Sequence, residues 1–258
     1  MLCHCSFAQS YTFIGGRANG LAYASSTLSD EWSIFNNPAG AASAKEHRLA
    51  VAYDATPTFS FWNRSAAVIL LPFKRGGVNI GIIRAGDEVF SEQMLAASYA
   101  NKFGIASLGV SLQYIQYNAE GLGRKGVPTF TVGSITELTP WLKIGACIMN
   151  VTQPDITEEE KIPTVLLLGI SMKASEKVFA FMEVEKNIDE DPLLKAAVEY
   201  RFNEKFSVRT GFHPLPTAGF FGFALNRKRL QVDYAFSYFP QLGIRHQTGL
   251  SYAIRKQK

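Results

Sequence analysis

The chain has 258 residues, of which 47% are hydrophobic, and a formal net charge of +4. This length allows one large domain. No uninterrupted apolar run approaches about eighteen residues, so no membrane-spanning helix is expected. The basic residues form no extended surface pattern, which argues against a nucleic-acid partner. The hydrophobic fraction suits either a soluble protein or a β-barrel that has one polar side to each strand.

The first residues resemble the end of an export signal. Ser6, Phe7 and Ala8 form a short cleavage region, which predicts cleavage after Ala8. Residues 1–5 are too few to supply the charged start and apolar stretch of a complete signal. We therefore interpret residues 1–8 as a signal remnant and expect the true translation start to lie upstream.

Residues 27–40 predict a short helix followed by a tight turn. Thr27 or Ser29 provides an N-cap. Three apolar residues recur at helical spacing: Leu28, Trp32 and Phe35. Asn37 then precedes Pro38, and the residue before a proline avoids helical backbone angles. We expect this segment to plug the periplasmic mouth of a barrel; the alternative is a helix that lies outside the rim.

From about Arg48 to Arg255 the sequence alternates between apolar and polar residues. The clearest segment is residues 230–238, whose apolar members are Leu230, Val232, Tyr234, Phe236 and Tyr238. Successive strand side chains point to opposite faces, so each such segment predicts a strand with one apolar face. There are about fourteen segments, an even number typical of outer-membrane proteins. The predicted fold is all-β: a closed antiparallel transmembrane β-barrel with a short N-terminal helix or plug.

The connecting segments predict the orientation of this barrel. Long and short connectors alternate along most of the chain, which places the short turns and both chain ends on the periplasmic side. We expect residues 9–47 to form a hatch that occupies the barrel and residues 48–258 to form the barrel itself. A two-residue period does not by itself distinguish inside from outside, so a soluble β protein with an apolar interior remains the alternative.

Several charged residues fall on the polar face of the predicted strands. Those nearest the C-terminus are Lys195, Glu199, Arg201, Arg209, Asp233 and Arg245. If they face the lumen, they either form an ion-pair network that braces the hatch or line a path for a polar solute. Phe179 and Phe181 share the inward face of their strand, which predicts that part of the lumen is apolar and suits a hydrophobic ligand.

Two terminal motifs resemble the PorV/PorQ family of FadL-related outer-membrane barrels. The motifs are GGRANGLAYA at residues 15–24 and NPAGAA at residues 37–42, with a similar closing hairpin from residue 230 to residue 252. The resemblance implies that Asn37, Pro38 and Ala39 belong to the hatch. We assign Trp32 and Phe35 to the same hatch from their helical spacing. It also implies an outer-membrane location and a role in type IX secretion as a surface anchor or accessory that contacts secretion components. A FadL-like passive transporter of a hydrophobic small molecule is the alternative.

No sequence motif predicts catalysis. The four histidines lie outside the nucleophile and metalloprotease motifs, and no spacing of ligands predicts a metal site. We therefore expect no catalytic residues, no metal and no cofactor. The expected partners are outer-membrane lipid and either secretion-system components or a hydrophobic ligand.

Overall fold

The computed structural model describes residues 13–121, 123–156 and 161–256. Fourteen antiparallel strands form a closed barrel, which confirms the predicted fold. The strands are β1 (Glu46–Ala55), β2 (Arg64–Phe73), β3 (Gly76–Gly86), β4 (Phe90–Phe103), β5 (Ala106–Ala119), β6 (Gly123–Thr139), β7 (Leu142–Met149), β8 (Val165–Lys173), β9 (Val178–Asn187), β10 (Leu193–Arg201), β11 (Phe206–His213), β12 (Ala218–Arg227), β13 (Leu230–Phe239) and β14 (Gly243–Lys256).

Each strand pairs with its neighbours in the chain, and β14 pairs with β1 to close the barrel. In this closing pair Val51 lies opposite Leu250, and the ladder continues from Glu46 to Ala55 with one irregularity next to His47. Closure satisfies the backbone hydrogen bonds of every strand and leaves no exposed edge. Within the described residues, no helix is long and apolar enough to cross a membrane.

The apolar face of each strand lies on the outside of the barrel. On β13, Leu230, Phe236 and Tyr238 are exposed, whereas Ala235 and Ser237 are completely buried. The same outward pattern holds around the wall, including Leu112 on β5 and Leu168 on β8. An apolar exterior around a closed barrel is the arrangement that hydrocarbon requires, so the soluble alternative is wrong. The protein is an outer-membrane barrel.

The two ends of the barrel differ in the length of their connections. The end where β1 begins and β14 finishes has short turns such as Lys74–Arg75 and Gly104–Ile105. We call it the periplasmic end and the opposite end the outer end, following the pattern of outer-membrane barrels. The longest outer connection runs from residue 150 to residue 164. Residues 118–127 include Gly121, Gly123 and Gly126, a composition typical of a loop, but they extend the β5–β6 ladder as far as the Ala119–Gly123 pair.

The described part of the hatch, residues 13–45, lies inside the barrel and is mostly buried. It contains the helix α1 (Gly16–Gly20) and two 3₁₀ helices, Glu31–Ile34 and Pro38–Ser43. The expected helix capped by Thr27 or Ser29 does not form. Asp30 is the cap instead, because its side chain accepts a hydrogen bond from the Trp32 amide at 3.1 Å. The proposed signal remnant lies outside the described residues.

Candidate functional site

The five hatch residues singled out in the sequence are all buried. Trp32 packs against the backbone of Gly15, and Phe35 packs against Gly81 on the inner wall of β3. Asn37, Pro38 and Ala39 lie against β5 and β6 in the periplasmic half of the lumen. Asn37 caps the second 3₁₀ helix and Pro38 occupies its first turn, where a proline needs no hydrogen-bond donor.

Asn37 joins the hatch to the barrel wall. Its side-chain nitrogen donates to the carbonyl of Ser26 at 2.6 Å, to that of Ser134 at 3.1 Å and to that of Ala146 at 3.3 Å. Its side-chain oxygen accepts from the amide of Ala39 at 3.1 Å. One buried amide therefore connects two parts of the hatch with β6 and β7, and its loss would remove these hydrogen bonds between hatch and wall.

Glycines on the inner wall let the hatch backbone approach the strands closely. A Cβ atom built at Gly109 would lie 2.4 Å from the Ala39 nitrogen and 2.4 Å from the Pro38 carbonyl carbon. A Cβ at Gly145 would lie 2.2 Å from the Ser26 carbonyl oxygen. Similar contacts occur at Gly77, Gly133, Gly169 and Gly211. The hatch is therefore fitted to the wall along much of its length, and a methyl group at Gly109 or Gly145 would overlap the hatch backbone.

Lys195 forms a buried charge cluster that also holds the hatch. Its ammonium group lies 2.8 Å from Glu183 and 2.6 Å from Glu185, and it donates to the carbonyl of Tyr23 at 2.9 Å. The ring of Phe13 lies 4.7 Å from the same nitrogen. Lys195 is 1% exposed, and its charge depends on these partners because a buried unpaired charge is costly.

A second cluster surrounds Glu199 near the periplasmic end. The Glu199 carboxylate accepts from three arginines: from Arg17 of the hatch at 2.9 Å, from Arg201 at 2.6 Å and from Arg209 at 3.1 Å. Arg209 also lies 2.5 Å from Asp233. The cluster connects α1 with β10, β11 and β13. Four of the six charged residues expected to face the lumen thus lie in one network.

The sixth, Arg245, lies at the outer end. Its guanidinium pairs with the completely buried Asp54 at 2.5 Å. Asp54 also pairs with Arg64 at 2.6 Å, and Arg64 donates to the carbonyl of Phe13 at 3.1 Å. This group ties the closing strands β14, β1 and β2 to the beginning of the described hatch.

The outer half of the lumen is apolar on one side. Inward side chains of β3 to β6 form an apolar patch, which we call the outer apolar patch: Ile83, Met94, Ile115, Tyr117 and Val127. Ile34 and Phe35 of the hatch pack in the same cluster from below, and Ile162 of the β7–β8 connection packs in it from the outer side. Hatch and outer connection together fill this part of the lumen.

The periplasmic half is polar in contrast. A vestibule of about 810 Å³ opens below the hatch and is lined by charged residues, among them Arg17, Glu31 and Arg48. Glu31 is buried at its upper end, where it contacts the Ser251 hydroxyl and lies 3.8 Å from Arg48. Burial raises the pKa of Glu31, and the charge of the neighbouring Asp30 raises it further. The hatch therefore separates the outer apolar patch from a charged inner vestibule.

No family model matches the sequence, and no curated protein matches it significantly. The fold has clear relatives among solved structures. The toluene transporter TbuX of Ralstonia pickettii aligns with a TM-score of 0.76 at 11% identity, over 95% of this chain and 100% of that chain. The CymD monoaromatic hydrocarbon channel aligns with a TM-score of 0.73 at 12% identity, over 96% of this chain and 100% of that chain. A FadL homologue of Pseudomonas aeruginosa aligns with a TM-score of 0.69 at 12% identity, over 93% of this chain and 98% of that chain.

At these identities the likeness establishes the fold. The chain has the fold of FadL-like outer-membrane barrels, which supports the broader part of the family resemblance. The narrower PorV/PorQ assignment and the role in type IX secretion receive no support from these comparisons. The similar proteins are described as transporters and channels.

Sequence reasoning missed several residues that position the hatch. Arg17 and Ser26 lie in the hatch but were not recognised as contacts, although Ser26 donates its backbone amide to Glu183 at 2.7 Å. Asp54, near the end of β1, and Arg64, at the start of β2, were not recognised as partners of the hatch and the closing strand. The inward-facing glycines were visible in the polar stripe of several strands, and their recurrence was the one signal that a backbone approaches the wall.

Proposed function

We propose that this protein is a passive channel for hydrophobic small molecules across the outer membrane, closed by its N-terminal hatch. Monoaromatic hydrocarbons are the candidate substrates, because two of the most similar folds are described as a toluene transporter and a monoaromatic hydrocarbon channel. Such a channel catalyses no reaction. It needs an apolar lumenal surface onto which a molecule such as toluene can move from water.

The outer apolar patch is the observation that supports this proposal most directly. A water-filled porin lumen is lined by polar side chains. Here Met94, Ile115 and Val127 face inward instead and are buried with hatch residues. A sulfur-containing and an aromatic side chain, Met94 and Tyr117, add surfaces that adapt to flat aromatic ligands.

The hatch is held in a way that permits displacement. Residues 13–45 contribute no strand to the barrel, and the barrel closes through β1 and β14 without them. The hatch contacts the wall through side-chain hydrogen bonds, ion pairs and close packing against glycine. Each of these is worth a few kcal/mol at most, so a local shift at Asn37 can open a passage while the barrel stays closed.

A surface anchor for exported proteins is the second candidate. The close fit of the hatch favours it, because an anchor needs a sealed barrel and no passage. The two functions differ in whether a hydrophobic solute crosses through the lumen.

Uptake in a Gram-negative host tests the proposal. The initial rate of ¹⁴C-toluene accumulation is measured in cells that carry the protein in the outer membrane and in cells that lack it, with ¹⁴C-sucrose as a polar control. The channel proposal expects faster toluene uptake and unchanged sucrose uptake. Equal toluene uptake in the two strains, with a folded barrel shown by heat-modifiable gel migration, would reject the channel and favour the anchor.

A further inference from the structure

The periplasmic rim of the barrel is strongly basic. Its turns expose Lys74, Arg75, Lys177, Lys205 and the run from Arg227 to Arg229. Within the described residues, none of these side chains forms an ion pair. The exposed acidic residues on this rim are fewer, and one of them, Glu176, is paired with Lys173 at 2.8 Å. The rim therefore carries positive charge that the protein does not neutralise.

The opposite rim has the reverse bias. The exposed charged residues of the outer connections are mainly acidic: Asp87, Glu88, Glu120, Asp189, Glu190 and Asp191. The exceptions are Arg124 and Lys125 at the start of β6 and Lys161, which pairs with Asp155 at 3.5 Å. The excess of positive charge is thus a property of one end of the barrel rather than of the whole surface.

Aromatic side chains place the basic rim at the level of lipid headgroups. Phe103, Trp141 and Phe202 lie in or beside the periplasmic turns and are 59%, 50% and 48% exposed. Phe73 stacks on Tyr99 at the same end, with ring centroids 5.6 Å apart. Aromatic residues on the outside of a barrel mark the boundary between hydrocarbon and headgroups. The basic residues of the same turns therefore lie at the depth of the headgroup layer.

One cleft in this rim has the form of a headgroup site. It lies between the β2–β3 and β4–β5 turns, has a volume of about 560 Å³ and is lined by Lys74, Arg75, Lys102, Phe103, Gly104 and Ala42. The backbone amide of Lys102 donates to the carbonyl of Arg75 at 2.7 Å, which fixes the two turns together. The Lys102 ammonium is paired with Glu137 at 2.5 Å. Lys74 and Arg75 remain as the two cations able to meet an anion.

We propose that the basic periplasmic rim binds anionic phospholipids of the inner leaflet, and that the cleft at Lys74 and Arg75 is a defined site for a phosphate-bearing headgroup. The two cations bind the phosphate, and the exposed ring of Phe103 contacts the first methylene groups of the acyl chains. Basic pockets next to membrane-spanning segments bind anionic headgroups in this way. The interaction fixes the depth of the barrel in the membrane and is independent of whether the lumen conducts.

Native mass spectrometry of the purified full-length barrel tests the proposal. The protein is titrated in detergent with palmitoyl-oleoyl phosphatidylglycerol and, separately, with palmitoyl-oleoyl phosphatidylcholine. The expected result is preferential retention of phosphatidylglycerol. In the double variant Lys74→Gln/Arg75→Gln this preference should fall roughly tenfold or more, since each basic residue near an anionic lipid surface contributes substantially to binding.

The matched control is Arg124→Gln/Lys125→Gln, which removes two basic residues from the outer rim and should leave the preference unchanged. Heat-modifiable migration establishes that both variants are folded, and their toluene uptake should equal that of the parent protein. A parent protein without preference for phosphatidylglycerol, or an equal loss in the two double variants, would overturn the proposal. Displacement of the lipid by 10 mM inorganic phosphate would also overturn it, because the site would then be a simple anion site.

Discussion

Substitution of Gly109 by alanine tests how tightly the hatch is fitted to the wall. The new methyl carbon would lie 2.4 Å from the Ala39 nitrogen and the Pro38 carbonyl carbon. Carbon atoms in contact prefer a separation of about 3.5–4.0 Å, so the hatch backbone has to move by roughly 1 Å. Asn37 resists this movement through its three amide contacts with Ser26, Ser134 and Ala146.

This overpacking should destabilise the seated hatch relative to the displaced hatch by about 1–3 kcal/mol, while the strand pairing of the barrel is unaffected. Because about 1.4 kcal/mol corresponds to a factor of ten, the population with a displaced hatch should rise on the order of 5- to 150-fold. Ion conductance in planar lipid bilayers measures this population, since a displaced hatch connects the vestibule with the outer lumen. We expect rare openings for the parent protein and frequent ones for Gly109→Ala.

Gly219→Ala is the matched control. Gly219 also lies on a strand, but a Cβ atom built there meets nothing within 4 Å. This variant should conduct like the parent protein. Parent-like conductance and thermal stability of Gly109→Ala would refute the close fit of hatch and wall, and so would an equal increase in conductance from Gly219→Ala.

Three further predictions concern the hatch and its charges. Asn37→Asp should increase conductance as Gly109→Ala does, because a carboxylate cannot donate to the Ser134 and Ala146 carbonyls; unchanged conductance would contradict the role of this amide. Lys195→Met should lower the free energy of unfolding by about 3–5 kcal/mol in a urea titration, because it leaves Glu183 and Glu185 buried without a cation. The control is Lys173→Met at an exposed ion pair, which should lower the free energy of unfolding by less than about 1 kcal/mol. The raised pKa of Glu31 means that the seated hatch binds a proton more tightly than the displaced hatch does. The fraction of molecules with a seated hatch should therefore rise as the pH falls from neutral toward 4.5, the ordinary pKa of a glutamate. Glu31→Gln should reduce the pH dependence of conductance, and an unaltered pH profile would show that another group is responsible.

The barrel was predictable because its two faces meet different solvents. Hydrocarbon outside and a polar lumen inside impose a two-residue period, and residues 230–238 show it with Ala235 as the one apolar residue on the inward face. The strand ends were less predictable. Residues 123–127 contain two glycines and two basic residues, which resemble a loop, but pairing with β5 extends the strand through them. Tertiary pairing therefore overrides the local preference.

The hatch was harder to predict in detail. A helical pattern at Leu28, Trp32 and Phe35 is present, but the segment forms only a 3₁₀ turn from Glu31 to Ile34. The reason is that each of these side chains is buried by the surrounding wall, so the backbone follows the contacts rather than a single helix face. The helix α1 was not foreseen because its sequence contains two glycines, which are poor helix formers.

The charge partners required the closed topology. Asp54 and Arg245 are 191 residues apart in the chain and become neighbours because β14 closes on β1. The alternation predicts that Arg245 faces inward, but it does not predict the same of Asp54, and the pairing depends on strand register and tilt. The remaining ion pairs depend on the position of the hatch, because Arg17 reaches Glu199 only when α1 lies inside the barrel.

A reversible lock on the hatch tests the central claim most directly. A Cβ atom at Gly169 would lie 2.4 Å from the Ser26 hydroxyl oxygen, so Ser26 of the hatch and Gly169 of β8 are in direct contact, and a cysteine at each position is placed to join hatch and wall. Loss of free thiols on oxidation verifies that the disulfide forms. The pair Ser26→Cys/Gly169→Cys is made in a chain whose own three cysteines, Cys3, Cys5 and Cys147, are replaced by alanine, so that only the new pair can be oxidised. Toluene uptake should be lost when this disulfide is oxidised and should return on reduction. Equal uptake in the oxidised and reduced states would contradict passage gated by the hatch.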